Sequence, residues 1–147
     1  MAYLPRIKKR ENDKKIIDKY PEVKTFGPLV PAYGVWARHV KGLKLVPLKF
    51  NLKNNDLRPA FVIDDGKEAE ITNCKIAETS GAQSIISLEN VEGARISKLE
   101  VKGSAEAFVR VEGSNSKDVR VMKNKIPGIK KEVELANDVE PGVAVHN

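Results

Sequence analysis

The clearest structural signal in the chain is residues 69–76, which read AEITNCKI. Apolar and polar side chains alternate on each side of a short break, in the form apolar-x-apolar-x-x-apolar-x-apolar. Alternation with a period of two predicts short strands that bury one side only. The stretch therefore predicts two short strands that meet at a bend, with Ala69, Ile71, Cys74 and Ile76 facing inward.

The same pattern recurs along the chain about every 25 residues. It begins at residues 43, 69, 94 and 119, so the steps are 26, 25 and 25 residues. The apolar slots of the other units are Leu43, Leu45, Leu48 and Phe50, then Ala94, Ile96, Leu99 and Val101, and more loosely Val119, Val121, Asn124 and Ile126. A fixed period of this length is typical of a solenoid, in which each unit buries its apolar face against its neighbours.

A third short strand precedes this pattern in each unit, followed by a turn in which Asp and Asn suit a left-handed backbone. The aligned residues are Val35, Phe61, Ile86 and Val111 in the first slot, Ala37, Ile63, Leu88 and Gly113 in the second, and His39, Asp65, Asn90 and Asn115 in the turn. Three strands per unit around one apolar interior predict an all-β fold, a parallel β-helix of about four coils. We expect these side chains to lie inside: Phe61, Ile71, Ile86, Ile96, Leu99 and Val101.

The chain divides into a leader and a repeat region. Residues 1–30 are charged and irregular, and residues 12–20 within them could form a short helix. Residues 31–147 form the short β-helix with a C-terminal capping tail, in which Val133 and Leu135 give one candidate strand. No apolar run approaches the ~18 residues of a membrane span, and the chain begins without the apolar core of a secretory signal.

Composition limits the chemistry that the chain can carry. Cys74 is the only cysteine, which excludes a disulfide framework and a cysteine metal site, and its inward slot favours a small core residue. The net charge is +6, and Lys8-Lys9-Arg10 could contact phosphate, but acidic residues are interleaved and no aromatic platform accompanies the run. We therefore expect a solvated surface rather than a nucleic-acid site. A basic surface would also suit a polyanion such as a uronic-acid polysaccharide.

Two stretches of the sequence resemble a known family. Residues 31–43, PAYGVWARHVKGL, preceded by Tyr20-Pro21-Glu22 and Phe26-Gly27, resemble the C-terminal part of bacterial polygalacturonase-like proteins. These belong to glycoside hydrolase family 28 in the pectin-degrading β-helix superfamily. Residues 58–65, RPAFVIDD, resemble the segment that follows, so the match covers residues 20–76. The resemblance implies a right-handed parallel β-helix and a relation to polysaccharide hydrolysis, by general acid and general base carboxylates that invert the anomeric centre.

The chemistry of that family is missing from this chain. Its catalytic segments are an Asn-x-Asp strand, an Asp-Asp pair and a Gly-His-Gly loop, which lie upstream of the matched region, and no Gly-His-Gly occurs here. Asp64-Asp65 aligns with the ordinary turn of a coil, whereas an inverting pair needs its carboxyl groups ~6.5–9.5 Å apart across a sugar. Arg6-Ile7-Lys8 spells the family's short substrate-binding motif, but it falls in the leader. We therefore name no catalytic residue, no cofactor and no metal ligand.

One cluster of candidate substrate-binding residues remains at the start of the repeat. Tyr33, Trp36, Arg38 and His39 could hold an acidic sugar by charge and by ring stacking. The alternative is that Tyr33 and Trp36 cover the first coil where the leader packs, with Arg38 in a turn.

Two classes of function stay open. The first is the C-terminal β-helix portion of a polygalacturonase-like glycoside hydrolase, inactive alone, whose parent would be secreted or periplasmic. The second is a stand-alone, non-catalytic carbohydrate-binding or structural module. A fragment would expose an apolar first coil near Val35 and Phe61 and self-associate through its coil ends, whereas a complete module would fold its leader over that end. Acidic polysaccharide is the expected partner, and neither nucleic acid nor a membrane is expected.

Overall fold

The computed structural model describes residues 31–52 and 54–146. These residues form ten β-strands and no helix, which confirms the all-β prediction. The strands are β1 Val35–Lys41, β2 Lys44–Leu45, β3 Lys49–Asn51, β4 Phe61–Lys67, β5 Glu70–Thr72, β6 Lys75–Ser97, β7 Glu100–Glu112, β8 Lys117–Met122, β9 Ile129–Leu135 and β10 Ala144–His146. Val133 and Leu135 lie in β9, in the predicted tail strand. The leader and its predicted short helix lie outside the described residues.

The strands pair in parallel with partners about one repeat away, and they stack as a β-solenoid of about four turns. Ile71 in β5 lies opposite Leu45 in β2 on one side and opposite Ile96 in β6 on the other. Val121 in β8 continues the same row opposite Ile96. The predicted steps of 26, 25 and 25 residues are therefore confirmed for this part of the repeat.

Each turn of the solenoid contributes one strand segment to each of three stacks. The first stack contains residues 35–38, 61–64, 86–89, 109–112 and 133–135. The second stack contains residues 44–45, 70–72, 95–97, 120–122 and 145–146. The third stack contains residues 49–51, 75–77, 100–101 and Lys125. Because successive side chains of a strand point to opposite sides, each stack presents one row to the interior and one to the surface.

The interior is a continuous apolar column that runs along the solenoid. The six side chains predicted to lie inside are each at most 1% exposed, which confirms that prediction: Phe61, Ile71, Ile86, Ile96, Leu99 and Val101. Cys74 is also fully buried, and its thiol lies 3.4 Å from the carbonyl oxygen of Thr72. Burial raises the pKa of the Cys74 thiol, so this residue is the inert core side chain that the sequence indicated.

Left-handed backbone forms the corners between the strand segments. The first corner holds His39, Asp65 and Asn90, with φ of 54°, 63° and 53°, as the turn alignment predicted. The other corners repeat at the same spacing, with Gly42, Glu68, Gly93 and Asp118 in the second and Asn73, Lys98 and Lys123 in the third. All eight non-glycine residues with positive φ in the described part of the chain lie at these corners. The corners therefore set the cross-section of every turn.

The first stack departs from the predicted register in the fourth coil. Val109, and not Val111, lies opposite Ile86, while Val111 lies opposite Leu88. The prediction that Val111 occupies the first slot and Gly113 the second is therefore wrong. Gly113 instead takes the left-handed corner, with φ of 93°, where the alignment had placed Asn115.

The spacing between paired residues falls from 25 to 23 at an irregular bend before the first stack, and it returns to 25 after that stack. The pairing of β6 with β7 shifts register on both sides of Thr79, which lies opposite Gly103. A Cβ atom on Gly103 would lie 1.8 Å from the carbonyl oxygen of Thr79, so only glycine permits this close approach. Lys117 then lies opposite Glu92, which restores the spacing of 25 residues.

Candidate carbohydrate-binding site

Tyr33 lies on the interior side of the first coil, apart from the other three candidates. Its ring meets that of Phe50 edge-on, with centroids 5.9 Å apart, and its hydroxyl is buried without a hydrogen-bond partner in the described structure. Burial, with a smaller contribution from the Asp56 carboxylate, raises the pKa of Tyr33 to about 12. Tyr33 therefore packs into the interior of the first coil, while the leader of the alternative interpretation lies outside the described residues.

Trp36 and Arg38 form a pair on the outer surface of β1. Alternation along the strand turns both side chains outward, and Trp36 is 44% exposed. The Arg38 guanidinium lies over the indole ring, with its central carbon 5.7 Å from the ring centroid. Arg38 Nε also lies 3.3 Å from Oδ2 of Asp64 on the next turn. The cation is thus held above an exposed aromatic face.

His39 sits beside this pair at the first corner. Its left-handed backbone directs the side chain away from the strand row, and its Nδ1 lies 2.6 Å from Oδ2 of Asp65. His39 and Asp65 occupy the same corner on successive turns. Trp36, Arg38 and His39 are therefore contiguous along one exposed edge of the first coil, whereas Tyr33 is not part of it.

Asp64 and Asp65 are each contacted by a side chain of the preceding turn. Asp64 is an outward residue of the first stack and contacts Arg38, while Asp65 occupies the corner and contacts His39. The two carboxylates are chain neighbours on one side of the solenoid. Among the described residues, no carboxylate opposes them across a cleft.

A column of carboxyl groups on the first stack was not recognised in the sequence. Asp64, Glu89 and Glu112 lie opposite one another on three successive turns. Burial raises the pKa of Glu89, and the neighbouring carboxylates of Asp64, Glu112 and Asp138 raise it further. A protonatable carboxyl is the chemistry of a general acid, but Glu89 is exposed on an open surface. The alignment of Asp64 with Glu89 was the available signal.

Metal and membrane chemistry have no support in the described structure. Among residues 31–52 and 54–146, no three or more His, Cys, Asp or Glu side chains come together as a metal site. The described part of the chain also has no long apolar helix of the kind that crosses a membrane.

Comparison with protein-family models, with curated proteins and with solved structures found no match.

Proposed function

We propose that this β-solenoid forms the closing coils of a polygalacturonase-like β-helix protein and binds an acidic polysaccharide without hydrolysing it. The pair of Trp36 and Arg38 is the observation that carries the proposal. It stacks a guanidinium over an indole ring that is 44% exposed, on the stretch that resembles the family.

The chemistry of the pair suits a sugar that carries a carboxylate. A sugar ring packs its C–H face against an indole, and a guanidinium donates paired hydrogen bonds to a carboxylate. Arg38 uses Nε toward Asp64, and its terminal nitrogens have no partner among the described residues. Asp64 thereby orients the guanidinium and leaves its terminal nitrogens as hydrogen-bond donors for a ligand.

The placement of the carboxylates supports binding rather than hydrolysis. Asp64, Glu89 and Glu112 follow one another on adjacent strands, which lie about 4.8 Å apart. Inverting hydrolysis needs two carboxyl groups about 6.5–9.5 Å apart on opposite sides of the sugar. Carboxylates in one row on an open face lack that opposition.

The exposure of apolar side chains in the first coil favours the proposal that this chain forms the closing coils of a longer β-helix. Leu45 and Phe50 are only partly buried, whereas Ile71 and Ile76, their partners on the next turn, are each 1% exposed. A solenoid turn with partly covered apolar side chains suits stacking against a further turn.

Binding of polygalacturonate by three variants tests the proposal. Trp36→Ala and Arg38→Ala should each weaken binding about tenfold, because each removes one of two contacts of moderate strength. Lys130→Ala is the matched control, since Lys130 is an exposed cation that also contacts one carboxylate, Glu106, 3.1 Å away. Circular dichroism should show the same β-sheet spectrum for all three.

Two results would contradict the proposal. If the Trp36→Ala variant binds polygalacturonate as tightly as the unaltered chain, Trp36 does not contact the sugar. Release of reducing ends from polygalacturonate that disappears in Asp65→Asn or Glu89→Gln would show that the chain is itself a hydrolase.

A further inference from the structure

The second and third stacks, with the corner between them, carry a strong excess of positive charge. Residues 43–51, 69–77, 94–102 and 119–125 contain nine Lys or Arg side chains and two Glu side chains. We call the nine cations the basic face, and all nine are exposed: Lys44, Lys49, Lys75, Arg95, Lys98, Lys102, Arg120, Lys123 and Lys125. The parallel register therefore concentrates on one side of the solenoid a charge that the sequence spreads over 80 residues.

Several of these cations lie directly beside a like charge on the next turn. Lys49 lies opposite Lys75, and Arg95 lies opposite Arg120. Lys98 and Lys123 occupy the same left-handed corner on successive turns. Like charges opposite one another on neighbouring strands destabilise a sheet. The fold therefore gains nothing from these pairs.

Two carboxylates offset part of the repulsion on the basic face, since Glu70 lies opposite Lys44 and Arg95, and Glu100 lies opposite Lys75 and Lys125. Of its nine cations, only Arg120 has a carboxylate partner within the described residues, Asp118 at 3.3 Å. Elsewhere on the solenoid, exposed cations such as Arg38 and Lys130 have such partners. Nine cations against two carboxylates leave an excess of seven positive charges, which an external polyanion would neutralise.

We infer that the basic face binds a linear anionic polysaccharide that lies along the solenoid axis, at a site separate from Trp36 and Arg38. Strands of successive turns are about 4.8 Å apart, close to the length of one sugar unit of an extended uronate chain. One carboxylate or sulfate per sugar can then meet one cation per turn. Arg95 and Arg120 also line a shallow groove together with Glu70 and the hydroxyl of Ser97, so the two cations outnumber the one carboxylate there.

The surface chemistry favours a polysaccharide over a nucleic acid. Single-stranded nucleic acids are held by bases that stack on aromatic side chains, in addition to charge. Trp36 is the only exposed aromatic residue in the described structure, and it lies on the first stack. The basic face offers cations and hydroxyls instead, with Thr72 Oγ1 and Ser97 Oγ 3.2 Å apart between two turns.

A pair of double variants with equal loss of charge tests this site. Lys98→Gln with Lys123→Gln removes two neighbouring cations of the basic face, and Lys130→Gln with Lys131→Gln removes two exposed cations of β9. The probes are polygalacturonate, heparin, neutral dextran and a single-stranded oligonucleotide, each measured at several salt concentrations. The basic-face variant should bind both anionic polysaccharides about tenfold more weakly, with a smaller salt dependence, while the β9 variant should not change.

Three results would overturn the inference: equal loss in the two double variants, tighter binding of the oligonucleotide than of either polysaccharide, or no binding of heparin. The outcome is separable from that of the proposed function. If Trp36→Ala abolishes binding while the basic-face variant retains it, the first site stands and this one fails. The reverse result establishes the basic face and removes the first site.

Discussion

The first stack and the basic face lie on the same solenoid, but their charged side chains are arranged differently. Cations of the first stack are paired with carboxylates, whereas most cations of the basic face have no such ion pair. On the first stack, Arg110 Nε lies 2.7 Å from Glu112 and Nη1 lies 3.0 Å from Glu134. On the basic face, Lys49 lies opposite Lys75 and Arg95 lies opposite Arg120, and only Glu70 and Glu100 lie between these cations and their neighbours. The same register pairs residues about one repeat apart on both surfaces. The two surfaces therefore differ only in which side chains stand at the paired positions.

The contrast teaches how to separate structural charges from charges that are available to a ligand. A cation with carboxylates on its own and the next turn is neutralised within the fold, as Arg110 is. A cation above another cation stabilises nothing in the folded chain. The first kind should matter for the free energy of unfolding and the second for binding.

The largest effect is expected in the interior that both surfaces share. Ile96→Ala should lower the free energy of unfolding by about 3 kcal/mol, because Ile96 is 1% exposed and packs between neighbouring turns. Arg95→Ala, next to it on the outer row, is the control and should change stability by less than about 0.5 kcal/mol. Chemical denaturation measures both, and similar losses would mean that the rows are wrongly assigned.

A smaller effect separates the two surfaces directly. Arg110→Ala should lower the free energy of unfolding by about 1.5 kcal/mol, because it leaves two partly buried carboxylates without their shared partner. Arg120→Ala removes a single exposed contact to Asp118 and should cost less than about 0.5 kcal/mol. If the two variants unfold at the same denaturant concentration, the distinction between paired and unpaired cations has no energetic basis.

The carboxyl column of the first stack should respond to pH. The folded chain raises the pKa of Glu89 above its ordinary 4.5, so protonated Glu89 favours the folded state. This contribution is present below pH 4.5 and is lost as the pH rises through the raised pKa. Glu89→Gln should therefore increase stability at neutral pH, by about 0.5 kcal/mol for such an exposed group, and have no effect well below pH 4.5.

Thermal unfolding of Glu89→Gln and the unaltered chain at several pH values measures this difference. Glu106→Gln is a suitable control, because Glu106 is an exposed carboxylate that contacts Lys130. An advantage of Glu89→Gln that grows toward acidic pH would contradict the assigned direction.

The smallest effect is expected from relief of repulsion on the basic face. Lys98→Gln should raise the free energy of unfolding by about 0.3 kcal/mol, because it removes a cation beside Lys123. The same change should weaken binding of an anionic polysaccharide. A variant that becomes more stable while it binds less identifies a charge retained for a ligand, whereas a loss of stability would show that Lys98 supports the fold.

The second and third stacks were predictable from the sequence, and the fourth coil of the first stack was not. Ile71, Ile96 and Val121 recur at a fixed step, so their alignment has one solution. Val109 and Val111 are both apolar and two residues apart, so a shift of two residues buries valine in either register. Whether Val109 or Val111 lies opposite Ile86 depends on the close approach of Gly103 to Thr79. That approach is a tertiary contact, which the sequence pattern does not reveal.

The candidate site was predictable only in part. Trp36, Arg38 and His39 were grouped because they are neighbours in the chain, whereas Tyr33 lies in a bend before β1, where strand alternation does not apply. The excess of charge on one side was hidden in the sequence, because it comes from residues 25 positions apart whose sum looks ordinary. Only the strand register shows which of these residues share a surface, so that their charges can be summed.

The pairing of each strand with a segment one repeat away also decides how the chain would come apart under mechanical load. A strand pulled from one end leaves only the turn beneath it, so the solenoid should open turn by turn and not in a single event. Each opened turn would release about 25 residues, or roughly 85 Å of extended chain. Force applied between the two ends should accordingly meet a series of evenly spaced barriers.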